Sequence, residues 1–317
     1  MSTKSISQSM EKKTNWWVKL KKNISRDKYL LLLVALPVLY YVVFHYVPMY
    51  GLQIAFKRYS PGRGIWGSPW VGFKWFQQFF GSYFAGRLIR NVLLLNIYNL
   101  IWAFPLPIIF ALMLNEVKNA AFKRVVQTIS YMPHFISVVV VVGMVFSFLS
   151  VNDGVVNMAL ENLGVQPINF MSEPKWFRTI YIASGVWQSF GWGSIIYLAA
   201  LSGIDVEQYE AARIDGANRF QQIIHITIPG ILPTVIILLI LQCGRMMSVG
   251  YEKIILMYNT ATYEVSDVIS TYVYRNGILG GEFSFSTAVD LFNNICNCIL
   301  LVAINWVSRK VSDISLW

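Results

Sequence analysis

Residues 209–233 read YEAARIDGANRFQQIIHITIPGILP and separate two long apolar runs. A loop between membrane spans needs only to be short and polar, but this one has an internal pattern, with EAA at 210–212 and DGA at 215–217. The pattern predicts a short helix, a tight turn at Gly216 and a second helix that enters an apolar run near Pro229. Gly216 is expected to have a positive φ, and Asp215 is expected to cap the second helix. Such a shape suits docking to a soluble protein.

The first of these two helices is expected to have two different faces. Tyr209 and Ile214 are predicted to pack back against the spans, while Glu210 and Ala211 face a partner. Alanine permits close approach of another backbone, and the Glu210 carboxylate can pair with a basic residue opposite it.

The composition indicates the class of protein. Of 317 residues, 56% are hydrophobic and only 13% are charged, whereas soluble domains carry about 25% charged residues. This deficit predicts a polytopic membrane protein. The net charge of +10 comes from basic residues spread over the N-terminus and the short loops, so a nucleic-acid interface is not expected. Cys243, Cys296 and Cys298 all lie in apolar runs, and neither a disulfide framework nor a metal site is expected.

Six apolar runs are long enough for a transmembrane helix, which needs about 20 residues. They are residues 29–50, 91–114, 125–150, 179–203, 228–249 and 286–308. The predicted organisation is a basic interfacial segment at 1–28, a six-helix transmembrane domain at 29–308 and a tail at 309–317. The positive-inside rule places both termini and the loop 204–227 in the cytoplasm, as in a multi-pass protein of the plasma membrane.

The loop pattern resembles the EAA motif of permease subunits of type I binding-protein-dependent ABC importers. The residues that carry this resemblance are Glu210, Ala211, Ala212, Asp215, Gly216, Ala217, Ile226 and Pro229. Ile228 stands where the family usually has leucine, which is a conservative change. The six-run layout extends the resemblance over nearly the whole chain.

A narrower similarity is to the oligosaccharide and polysaccharide permeases of the carbohydrate-uptake branch. The segments that carry it are YGLQIAFK at 50–57, LNEV at 114–117, MPHFIS at 132–137 and DVISTYVY at 267–274. Trp75 is a departure, since such permeases often have asparagine there. The resemblance implies an all-α type I ABC importer permease fold and a subunit that translocates an oligosaccharide or a polysaccharide fragment.

The resemblance also implies a set of partners. In this family the EAA loop sits in a groove of a cytoplasmic ATPase, so residues 210–212 and 215–217 would couple the chain to ATP hydrolysis. The assembly would contain a second, distinct permease, two ATPase subunits and an extracellular solute-binding protein. The chain has no GxxxxGK[ST] phosphate loop. We therefore expect no enzymatic activity and no cofactor of its own, with ATP bound by the partner ATPase.

Two sets of polar side chains within the spans are candidate sugar contacts, because their amides can bind hydroxyls and an indole can stack on a sugar ring. They are Asn293, Asn294 and Asn297 in the last span and Gln188, Ser189 and Trp192 in the fourth. Packing between helices is the alternative for both sets. Arg245 is interpreted as reaching toward the outer interface, with a substrate contact as the alternative. His134, which follows Pro133, is interpreted as structural or as part of a helix kink, with a proton relay as the alternative.

The main alternative function is an ion-gradient-driven secondary transporter. It would need intramembrane carboxylates or ion sites at broken helices, and the sequence offers few. A membrane enzyme is disfavoured because HExxH, GxSxG and paired intramembrane acids are missing from the sequence. A non-transporting sensor coupled to an ATPase would share the docking loop, and only a transport assay separates it.

Overall fold

The structure is a computed structural model that describes residues 26–311. Most of the predicted segment 1–28 and of the tail 309–317 therefore lies outside the described residues. Within 26–311 the chain is helical, and an isolated antiparallel bridge between Lys57 and Trp70 is the sole β pairing. The α-helices are α1 Lys28–Tyr41, α2 Val47–Met49, α3 Gly64–Gly67, α4 Lys74–Phe80, α5 Tyr83–Trp102, α6 Pro105–Glu116, α7 Ala120–Tyr131, α8 Val138–Phe148, α9 Val155–Asn162, α10 Pro174–Ser202, α11 Val206–Ile214, α12 Arg219–Gln222, α13 Ile228–Cys243, α14 Tyr251–Met257, α15 Tyr263–Ser266, α16 Ile269–Val273 and α17 Phe283–Val311.

Four helical stretches are long and apolar enough to cross a membrane. They are Lys28–Phe56, Tyr83–Glu116, Arg219–Cys243 and Phe283–Lys310. Two further spans are each formed by a pair of helices with a sharp bend between them, if each pair is counted as one span, and the number of spans is then six. The pairs are Ala120–Phe135 with Val138–Phe148 and Pro174–Ser202 with Val206–Ile214. The all-α membrane architecture expected from the sequence is thereby confirmed.

The chain divides into two compact units. Of the first, residues 26–54 and 59–68 are described; it holds α1 to α3, and the rings of Tyr50 and Trp66 lie 5.7 Å apart in it. No side chain of α1 is buried, as expected of a helix whose apolar surface faces lipid or another protein.

The second unit comprises residues 55–58 and 69 onward, and it contains two hydrophobic clusters. The larger cluster joins α4, α5, α10, α14, α16 and α17, with Phe79, Leu88, Phe177, Ile254 and Phe285 among its buried residues. The smaller cluster joins α6, α10 and α13 through Ala111, Tyr197, Leu201 and Ile231. The long helix α10 belongs to both clusters, and it also lines the two cavities described below.

The third run, 125–150, is not one straight helix. It bends by 99° between Ala120–Phe135 and Val138–Phe148. Pro133 has no N–H to continue the helix, Ile136 is extended, and the Ser137 hydroxyl caps α8 by accepting from the Val140 N–H at 3.4 Å. The sequence predicted a single apolar run here, because hydropathy does not register a break of two residues.

Candidate functional site

The loop 204–227, here called the coupling segment, folds as a helix, a turn and a second helix. The Asp205 side chain caps α11 by accepting from the Glu207 N–H at 3.0 Å. Gly216 has φ +81°, the left-handed conformation that closes a helix and that glycine adopts without strain. The Gly216 N–H donates to the Arg213 carbonyl and the Ala217 N–H to the Ala212 carbonyl, so the turn is fully hydrogen-bonded. The predicted turn at Gly216 is confirmed.

The second helix of the coupling segment is capped by a residue other than the expected one. Asn218 accepts from the Gln221 N–H at 2.9 Å, and the Gln221 side chain accepts from the Asn218 N–H at 2.8 Å. This reciprocal pair is a capping box. The prediction that Asp215 caps this helix was wrong, because Gly216 extends the turn and places Asn218 at the cap.

Two contacts hold the coupling segment in place. The Tyr209 hydroxyl lies 3.0 Å from Thr227 Oγ1, and Thr227 Oγ1 donates to the Gln222 carbonyl. Arg219 Nη1 donates to Glu116 Oε2 at 3.0 Å, which ties the second helix to the end of α6. The two helices of the segment are thus cross-linked to each other and to the rest of the unit.

The outer surface of the coupling segment carries large apolar side chains. Ile214 is 87% exposed and Phe220 is 70% exposed. Glu210 and Ala211 are also exposed, as predicted, and Tyr209 is half-buried. The expectation that Ile214 packs back against the spans was wrong, because it occupies the last position of α11 beside the turn. Two exposed apolar side chains beside the turn of an ordered, polar segment make this surface a candidate docking surface for another protein.

A cavity of about 450 Å³, here called the central cavity, lies beside the middle of α10. Its lining combines indole, amide, hydroxyl and guanidinium groups with aliphatic side chains. The residues are Asn99, Ala103, Phe104, Pro107, Ser189, Trp192, Gly193, Ile196, Tyr197, Leu238, Leu241, Gln242 and Arg245. Such a mixture suits a polar ligand with flat apolar faces, because the few polar groups fix its orientation.

Of the candidate residues in the fourth span, Ser189 and Trp192 line the central cavity. The Trp192 ring stacks on His134 with ring centroids 4.6 Å apart and an interplanar angle of 1°. Gln188 instead donates to the Ile136 carbonyl at 2.8 Å. That carbonyl belongs to the break in the third run, so the amide satisfies a backbone group that the break leaves free.

The three amides of the last span have different environments. Asn297 Oδ1 accepts from the Met247 N–H at 2.9 Å, and its Nδ2 donates to Ser248 Oγ at 2.7 Å. Asn294 is exposed and donates to Asp290 Oδ2. Asn293 is buried, and its Oδ1 has no hydrogen-bond partner among residues 26–311. Asn297 therefore holds the turn after α13 in place, while Asn293 and Asn294 remain candidates for binding a polar ligand.

A second cavity of about 700 Å³, here called the upper cavity, lies between α5 and α10 and was not anticipated from the sequence. Its lining is mainly aromatic and aliphatic, with two basic residues. The residues are Tyr98, Trp102, Leu106, Lys175, Arg178, Thr179, Ile182, Ala183, Val186, Trp187 and Phe190. The sequence contains a signal for Arg178, because an arginine at the edge of an apolar run is a functional candidate. It was missed because the predicted fourth span begins at residue 179.

A second unanticipated feature is a buried carboxylate outside the cavities. Asp267 is fully buried and accepts from Arg275 at 2.8 Å, from Arg87 at 3.5 Å and from Thr271 at 2.8 Å. Asn91 donates to the carbonyls of Asp267 and Glu264, both at 2.9 Å. This network fastens the segment α15–α16 to α5. Within residues 26–311 no group of three or more His, Cys, Asp or Glu side chains could hold a metal ion.

Comparison with known proteins assigns the family. Residues 103–312 match the family described as binding-protein-dependent transport system inner membrane component. The chain belongs to this family. It is therefore a multi-pass permease, a membrane component of a transport system that does not itself act as an enzyme.

Two relatives of this permease come from Bacillus subtilis (strain 168). Protein LplB is 45% identical over 96% of this chain and 94% of its own length. The polygalacturonan/rhamnogalacturonan transport system permease protein YteP is 42% identical over 91% of this chain and 90% of its own length. The permease therefore resembles both relatives along nearly its whole sequence.

Solved structures confirm the type I ABC importer permease fold. A bacterial ABC transporter involved in the import of the acidic polysaccharide alginate contains a chain 42% identical to the permease, with a TM-score of 0.86. The match covers 93% of this chain and 99% of that chain. A second structure of a bacterial alginate ABC transporter, in complex with an alginate pentasaccharide-bound periplasmic protein, matches with the same identity and TM-score over 94% and 100%.

Proposed function

We propose that the chain is the membrane-spanning subunit of an ATP-driven importer for an oligosaccharide or a polysaccharide fragment. An extracellular binding protein delivers the substrate, a second and distinct permease completes the pathway, and two cytoplasmic ATPase subunits bind ATP. Both termini and the coupling segment face the cytoplasm, and the complex resides in the plasma membrane. The relatives named for the transport of polygalacturonan and alginate support this substrate class.

The observation that carries the proposal is the exposure of Ile214 and Phe220 on the hydrogen-bonded coupling segment. These side chains flank the turn at Gly216 and protrude from a segment that the Arg219–Glu116 hydrogen bond ties to α6. An apolar pair in this position is stabilised by burial in a groove of a second protein. A braced segment also transmits displacement to the spans, whereas a loose loop would absorb it.

Substrate passage is assigned to the central cavity. Ser189, Gln242 and Asn99 offer hydroxyl and amide groups, and Trp192 offers an aromatic face close to the middle of α10. ATP binding would draw the coupling segments of the two permeases together and open this region toward the outside. Hydrolysis would return it to the inward-facing state.

Site-specific crosslinking tests the proposal. A photoreactive amino acid at position 214, or at position 220 in a second variant, is expected to crosslink to an ATP-hydrolysing subunit in membranes that contain the whole complex. Leu163 is a matched control, because it is 79% exposed and lies in the outer loop between α9 and α10. Crosslinking of the ATPase from position 163, or none from positions 214 and 220, would contradict the proposed docking and orientation.

A further inference from the structure

The central and upper cavities follow each other along α10 and share a chemical character. Phe190 lines the upper cavity and the adjacent Ser189 lines the central one. Each cavity has an arginine and at least one indole in its wall, and among the described residues that line the two cavities none is acidic. Both cavities are therefore electropositive and offer flat apolar surfaces.

Arg245 is the cation of the central cavity. It lies two residues after the end of α13, is exposed, lines the cavity and has no carboxylate partner within residues 26–311. Arg245 lies just beyond the candidate span Arg219–Cys243 and is exposed, so its guanidinium stays hydrated and available to a ligand. The neighbouring amides of Asn99 and Gln242 do not neutralise it. An anion that enters the cavity would supply the missing charge.

Arg178 is the corresponding cation of the upper cavity, and it is half-buried. Its Nη2 donates to Asn91 Oδ1 at 3.0 Å, which is a neutral partner. Its Nε is buried and has no hydrogen-bond partner in the described chain. The neighbouring Lys175 is already paired with Glu173 at 2.8 Å. The uncompensated charge in this cavity is therefore that of Arg178.

Building on the transport function proposed above, we infer that the transported oligosaccharide is acidic, with carboxylates of the uronic acid type that pair with Arg178 and Arg245. Guanidinium groups bind carboxylates through two parallel hydrogen bonds, which neutral sugars cannot accept in that form. Trp187 in the upper cavity and Trp192 in the central one provide faces on which the sugar rings stack.

The positions of the two cavities favour an extended substrate. Arg178 and Ser189 are separated along α10 by about 16 Å at the rise of a helix. An oligosaccharide reaches both cavities at once, whereas a single sugar occupies only one. An anionic lipid or a carboxylate of the second permease would also pair with a guanidinium, and the experiment below separates these occupants from a substrate.

The test compares one sugar with and without its charge. The assembled complex is purified, and the binding of trigalacturonate and of its fully methyl-esterified form is measured in the absence of the binding protein. The ester keeps the same rings and linkages but carries no carboxylate. The variants are Arg178→Gln, Arg245→Gln and the conservative Arg245→Lys. Arg90→Gln is the matched control, since it removes one cation that lies outside both cavities and pairs with Glu264.

The wild-type complex is expected to bind the acid about ten-fold more tightly than the ester, because a hydrogen-bonded charge pair is lost with the ester. Each Arg→Gln variant is expected to lose most of this preference, because its affinity for the acid falls several-fold more than its affinity for the ester. Arg245→Lys should retain much of it, and Arg90→Gln should match the wild type.

Three results of the binding experiment would overturn the inference. The first is equal wild-type affinity for acid and ester. The second is that Arg245→Gln weakens both probes alike or releases the second permease, which would assign the arginine to packing or to the partner. The third is that the preference depends on anionic lipid in the sample. Uptake of neutral maltotriose with exclusion of the acid would overturn only this inference, whereas a complex that transports no oligosaccharide would contradict the proposed function itself.

Discussion

Arg219 donates a hydrogen bond to Glu116 at 3.0 Å and so connects the coupling segment to the end of α6. The two residues are 103 positions apart in the chain. The pair is largely exposed, and such a pair contributes only about 0–1 kcal/mol to the free energy of unfolding. The pair therefore contributes little to stability, but it orients the second helix of the coupling segment relative to α6.

Exchanging the charges of Glu116 and Arg219 tests the role of this pair. Glu116→Lys is expected to reduce sugar-stimulated ATP hydrolysis several-fold, because Arg219 is then repelled and the segment loses its fixed orientation. The double variant Glu116→Arg with Arg219→Glu restores the attraction and should recover most of the activity. Thermal unfolding of all variants should stay close to that of the wild type. A double variant as defective as Glu116→Lys would show that the contact itself is unimportant.

Gly216 provides a test of the turn. Gly216→Val forces a β-branched residue into φ +81°, which such residues rarely adopt. We expect membrane insertion to be retained and ATP-dependent uptake to be lost. Gly164→Val is a matched control, because Gly164 has φ +78° and, like Gly216, has no neighbouring atoms within 4 Å of an added Cβ. Gly164 lies between α9 and α10, outside the coupling segment. Equal loss of uptake in both variants would therefore mean that backbone strain in general, not the coupling turn, causes the defect.

A substitution of Asn297 tests whether its amide is structural or contacts the substrate. Asn297→Ala leaves the Met247 N–H and Ser248 Oγ without their partner, and the expected loss is about 1–3 kcal/mol in the free energy of unfolding. Asn294→Ala removes only an exposed contact to Asp290 and should unfold like the wild type. Thermal denaturation of the purified complex measures both. Unchanged stability of Asn297→Ala together with weakened sugar binding would return this residue to the substrate site.

The buried amine of Lys253 is expected to make the free energy of unfolding depend on pH. Its Nζ donates to the Tyr181 carbonyl at 2.8 Å, and burial lowers the pKa of Lys253 to about 8. The unfolded value is about 10.4. Between these two pH values the unfolded chain binds more protons, so the free energy of unfolding rises as the pH increases from about 8 to 10.4.

The measurement for Lys253 is thermal unfolding of the complex from pH 7.5 to 9.5. The wild type is expected to gain stability relative to Lys253→Met as the pH rises, since the methionine variant lacks the titrating group. Lys118→Met, at an exposed position between α6 and α7, should follow the wild type. Parallel curves for wild type and Lys253→Met would refute the depressed pKa.

The sequence predicted the membrane architecture because hydrophobicity is continuous over each span, and it predicted the turn at Gly216 because few residues other than glycine adopt a positive φ. It could not separate Asp215 from Asn218 as the helix cap, since both side chains have capping oxygens. The break near Ile136 was missed because an extended residue between two apolar helices leaves the hydropathy unchanged.

The substrate residues were harder to predict for a different reason. Gln188 and Asn297 were chosen because amides within spans are rare, but an amide can satisfy a backbone group as well as a sugar. Only the packing of helices shows that Gln188 meets the Ile136 carbonyl and that Asn297 meets Met247. The upper cavity beside Arg178 depends on the approach of α5 to α10, which involves residues far apart in the chain.

Uptake of an oligosaccharide into sealed proteoliposomes tests the central claim most directly. The complex is reconstituted with its binding protein outside, and ATP is supplied either inside the vesicles or not at all. We predict accumulation that requires both internal ATP and the binding protein and that is abolished by Gly216→Val. Accumulation driven by a proton or sodium gradient without ATP, and unaffected by Gly216→Val, would contradict the claim and identify a secondary transporter.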